Sequence, residues 1–90
     1  MKSLEKLTQL TYLDLDENEL TSVEGLENLT QLKELSLSDN QLTSVKGLEK
    51  LTQLKVLHLR NNPDLTKAQK LELKKALPKC AIYPLSLIHI

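Results

Sequence analysis

The chain has 90 residues, with 12 Lys plus Arg set against 12 Asp plus Glu and a formal net charge of zero. That is the size of one small domain, and the balanced charge argues against long-range attraction to nucleic acid or to an anionic membrane. With no Trp, no Phe and a single Cys, the sequence excludes an internal disulfide framework and a four-thiolate zinc site, and its apolar content is mostly leucine.

From the first residues the chain repeats itself. Residues 4–10 read LEKLTQL, and the motif returns as LENLTQL at 26–32 and LEKLTQL at 48–54. The N-terminal stretch lacks the continuous apolar core of a secretory signal, and no segment approaches the length of a membrane span. The compartment stays open, with a lean to the cytoplasm. Because the chain begins inside a repeat, no N-terminal cap is expected, and truncation at Met1 is the favoured reading.

Alternating segments follow each LxxLTQL motif. Tyr12 to Asp16, Glu34 to Ser38 and Val56 to Arg60 each carry a period-2 pattern that predicts a short strand, with Leu13, Leu15, Leu35, Leu37, Leu57 and Leu59 pointing inward. The same pattern predicts that a charge at Leu35 disrupts folding, whereas one at Ser36 is tolerated. Asn18, Asn40 and Asn62 stand where the chain leaves each strand, and their amides can serve the backbone groups of an inward turn. The complete signature, L-x-x-L-x-L-x-x-N-x-L at a 22-residue spacing, runs through Leu10, Leu13, Leu15, Asn18 and Leu20, then Leu32, Leu35, Leu37, Asn40 and Leu42. It resembles the leucine-rich repeat. That resemblance implies an α/β solenoid with a short parallel sheet on its concave face.

The return segments LTSVEGLENL and LTSVKGLEKL place Val23, Leu26, Leu29, Val45, Leu48 and Leu51 inward and put Gly25 and Gly47 at the turns. Their brevity is similar to that of the internalins and of the leucine-rich regulatory subunit of type-1 protein phosphatase. The resemblance implies a convex side of 3₁₀ and irregular turns.

At Asn62-Pro63-Asp64-Leu65 one extra residue enters the pattern. Thr66 with Gln69 forms a capping box, and a helix is expected over residues 66–77, ending at Pro78. Leu73, Ala76 and Leu77 make its apolar stripe. Adding 23 to Leu57 and Leu59 lands on Cys80 and Ile82, which predicts a fourth strand over 80–83. This segment resembles the C-terminal cap of bacterial leucine-rich repeat proteins. The expected organisation is three repeats over 1–61, a C-terminal cap over 62–84, and a tail, LSLIHI at 85–90, that looks like a translated sequencing adapter.

Few residues offer site chemistry. Asp14, Asp16 and Asn18 open like a calcium loop, but the expected Gly and bidentate Glu do not follow. Cys80 and His58 alternate to opposite faces and make no nucleophile and base pair. No cofactor, metal or catalytic set is expected, so the chain reads as a non-enzyme. The remaining variable positions are the outward ones of the strands: Tyr12, Asp14, Asp16, Glu34, Ser36, Ser38, Val56, His58 and Arg60. They form the candidate face for a protein or peptide partner. The alternatives are a fragment of a larger multidomain protein and, from the resemblance, a regulatory subunit of an enzyme such as a protein phosphatase.

Overall fold

The computed structural model describes residues 9–83, so the expectations for the first eight residues and for the tail at 85–90 lie outside the described residues. Among the described residues the repeated leucines fold into a stack of similar coils along one parallel sheet of four strands: β1 (Tyr12–Asp14), β2 (Glu34–Ser36), β3 (Val56–His58) and β4 (Ala81–Tyr83), in that spatial order. Leu13 pairs with Leu35, Leu35 with Leu57, and Leu57 with Ile82. The invariant spacing of the first three strands therefore stacks one leucine on the next.

Regular strand ends two residues earlier than the alternation predicts, at Asp14, Ser36 and His58. The cause is a sharp turn at Glu17, Asp39 and Asn61, all of which adopt left-handed backbone near φ 60°. Pairing nevertheless continues beyond the strands, with the Leu15 and Glu17 amides donating to the Ser36 and Ser38 carbonyls at 2.8 and 3.0 Å.

The asparagines after these turns satisfy the backbone of two coils at once. Asn40 Nδ2 donates to the carbonyls of Leu37 at 3.0 Å in its own coil and Leu15 at 3.0 Å in the preceding one, while its Oδ1 accepts from the Leu20 amide at 3.2 Å. Asn62 repeats the arrangement on Leu59, Leu37 and the Leu42 amide. Among the described residues Asn18 makes only the local contacts, to the Leu15 and Asp16 carbonyls, and it is exposed. The ladder thus has two buried steps, and its first member lies at the surface.

On the convex side, single 3₁₀ turns at Leu26–Asn28 and Leu48–Lys50 return the chain. Each starts at a glycine with positive φ, Gly25 at 97° and Gly47 at 109°, a conformation that a Cβ resists. Leu26, Leu29, Leu48 and Leu51 are fully buried in the common core.

The helix α1 (Lys67–Ala76) opens with the predicted capping box: Thr66 Oγ1 accepts from the Gln69 amide at 3.1 Å, and the Thr66 amide donates to Gln69 Oε1 at 2.9 Å. Leu65, Leu73 and Leu77 enter the same core as the coils, whereas Ala76 is exposed and drops out of the expected stripe. Cys80 and Ile82 are buried as predicted, but the register differs. Ile82, not Cys80, faces Leu57, an offset of 25 residues instead of 23. A full helical passage occupies more chain than a 3₁₀ return, and a shift of two residues preserves which side chains point inward.

Candidate functional site

Side chains that point away from the core on successive parallel strands form one continuous surface. Here eight of the nine predicted outward residues, all but Val56, line one shallow depression of about 480 Å³. Val56 lies on the same face, half-buried between its register partners Glu34 and Ala81.

The face is not uniformly available. Asp16 Oδ1 accepts from Ser36 Oγ at 2.6 Å and from the Ser38 amide at 2.8 Å, so it ties the first coil to the second. Ser36 is only 7% exposed, and its burial beside Asp16 argues against the expectation that a charge there is tolerated. Asp14 Oδ1 accepts from the Asp16 amide at 2.9 Å. One carboxylate oxygen each of Asp14 and Asp16, and the Asn18 amide nitrogen, therefore hold coils and turns together.

The remaining groups are presented outward. Tyr12 is 53% exposed, and the carboxylates of Asp14, then Glu34 and Asp16, together with partial burial, push its phenol above the usual value. Glu34 Oε2 lies 3.5 Å from His58 Nε2. The His58 ring stacks on Tyr83, centroids 5.3 Å apart at 15°. Arg60 is exposed at the far side of the depression.

Two lining residues escaped the sequence reading, Asp39 and Tyr83. Tyr83 was legible, because alternation around inward Ile82 sends residue 83 outward. Asp39 lies at the left-handed turn beyond the strand, where period-2 alternation gives no signal. Cys80 sits across the sheet from this face, buried, and its burial pushes the thiol above the ordinary value.

A repeated coil with a core of stacked leucines, a buried asparagine ladder and a parallel inner sheet specifies one architecture. A family model described as leucine-rich repeats, in two copies, matches residues 8–49 and 30–75. The chain belongs to the leucine-rich repeat family. No curated protein matches it in sequence. Among solved structures, an internalin (InlF) from Listeria monocytogenes is similar over 99% of this chain, with a TM-score of 0.80 and 26% identity. This leucine-rich repeat chain is internalin-like in fold and spans 28% of that internalin's length.

Proposed function

We propose that this leucine-rich repeat chain is a non-catalytic protein-interaction module that takes a polypeptide on its concave strand face. The observation that carries this reading is the division of labour along each strand. Inward positions repeat one residue type to fill one slot, while the outward positions beside them place a tyrosine, carboxylates, a histidine and an arginine in one depression. Aromatic and arginine side chains are the usual anchors of such surfaces, and opposed charges orient a partner. Residues 62–84 read as the unit that closes the stack, since α1 and β4 bring Leu73, Leu77 and Ile82 onto the last coil.

The test is selection of displayed random peptides on the immobilised chain. Selected peptides are expected to lose binding to the Tyr12→Ala/Arg60→Ala double variant and to keep it with Glu24→Ala on the convex side. Peptides that respond only to the convex substitution would overturn the assignment. A second reading, a segment of a longer multidomain protein, is favoured by the 28% share of the similar internalin.

A further inference from the structure

Charge in this chain is balanced in sum and divided in space. From residue 9 to residue 45 there are eight carboxylates and one cation, Lys33; from residue 46 to residue 83 there are nine cations and three carboxylates. Since sequence order is also spatial order along the stack, the first coils are acidic and the last coil and helix are basic. Separation leaves the charges unpaired within the molecule. Among the described residues the one ion-pair contact is His58 with Glu34, and no lysine or arginine reaches a carboxylate.

The two large hydrophobic side chains exposed among the described residues fall one in each region, Tyr12 at 53% and Leu71 at 38%. Their settings are mirror images in charge. Tyr12 stands beside Asp14, two residues along the same face of β1, and beside Glu34, its register partner on β2. Leu71 stands between Lys67 and Lys75, four residues to either side on one exposed ridge of α1. An apolar group with two anions beside it is complementary in charge to an apolar group flanked by two cations, and zero net charge removes the repulsion that keeps copies of a protein apart.

We propose that the concave face of this chain docks the α1 ridge of a second copy, Tyr12 with Asp14 and Glu34 receiving Leu71 with Lys67 and Lys75. The inference rests on the concave-face reading and names an occupant for it. The contact joins different patches of the two copies, so it is heterologous. Its electrostatic part is set by screening, with a Debye length of about 30 Å at about 10 mM salt and about 3 Å at about 1 M.

Sedimentation equilibrium of the full chain tests it. The expected mass exceeds the 10.2 kDa of one chain at low salt and returns to it at high salt. Two charge reversals, Lys67→Glu/Lys75→Glu and Asp14→Lys/Glu34→Lys, each checked for folding by circular dichroism, are expected to be monomeric alone at low salt. Mixed together they are expected to associate, because the reversed helix of one suits the reversed face of the other. A wild-type chain that stays monomeric at low salt, association that survives either reversal, or a mixture that fails to associate would overturn the proposal. If displayed peptides still map to Tyr12 while the chain stays monomeric, only this inference fails and the concave-face reading stands.

Discussion

Replacing Asn40 with alanine probes the inter-coil ladder at its most informative step. The side chain makes four contacts, but their loss is unequal. The Leu15 carbonyl keeps Asn18 Nδ2 at 2.8 Å, the Leu37 carbonyl keeps Asn62 Nδ2 at 2.9 Å, and the Ser38 carbonyl keeps the Glu17 amide at 3.0 Å. Only the Leu20 amide loses its side-chain acceptor outright. An orphaned, partly buried amide costs about 1–3 kcal/mol and each weakened carbonyl roughly 0.5 kcal/mol, so the variant should lose about 3 kcal/mol. A domain of this size is held by roughly 5–13 kcal/mol. In urea, with a slope of about 1–1.5 kcal/mol/M, the midpoint should fall by roughly 2–3 M. Asn18→Ala, whose contacts are exposed, should cost less than about 0.5 kcal/mol by itself. The double variant should exceed the sum of the two, because the Leu15 carbonyl then loses both donors. If Asn18→Ala is as damaging as Asn40→Ala, or the pair is strictly additive, the shared-acceptor account is wrong.

Ser36→Asp sets a second carboxylate against Asp16 Oδ1, now 2.6 Å from Ser36 Oγ, and should destabilise by about 2 kcal/mol in the same urea assay, whereas Ser36→Ala should cost about 1 kcal/mol. Thr66→Ala removes half of the capping box and should lower stability by about 1 kcal/mol, read as a drop in melting temperature with the loss of helical circular dichroism. The Cys80 thiol is held above its ordinary value by burial, so its neutral form is favoured in the folded state. Its contribution is complete below the unfolded thiol value of about 8.5 and is lost as pH rises through the folded value. Wild type should therefore lose more stability than Cys80→Ala between about pH 7 and about pH 10, and a thiol reagent should label Cys80 only on unfolding. Equal alkaline losses in the two proteins would remove burial of the thiol as the cause.

The register of the coils was legible in the leucines, because a side chain that must fill the same slot on every coil leaves the same residue at the same spacing. Thr66 and Gln69 announced their helix, and Gly25 and Gly47 their turns, for an equally local reason: capping and positive φ are properties of a few consecutive residues. Tertiary structure alone decided how outward positions divide between holding coils and facing solvent. Asp14, Asp16 and Ser36 share one alternating pattern with Tyr12, yet Asp16 and Ser36 are bonded across the coils while Tyr12 is exposed. Only the juxtaposition of residues 20 apart in the chain distinguishes them. The same holds for Ile82 facing Leu57, since period-2 alternation fixes the side on which a residue points but allows slippage by two. The length of the helical passage settles that choice, and it is set by how α1 packs on the last coil.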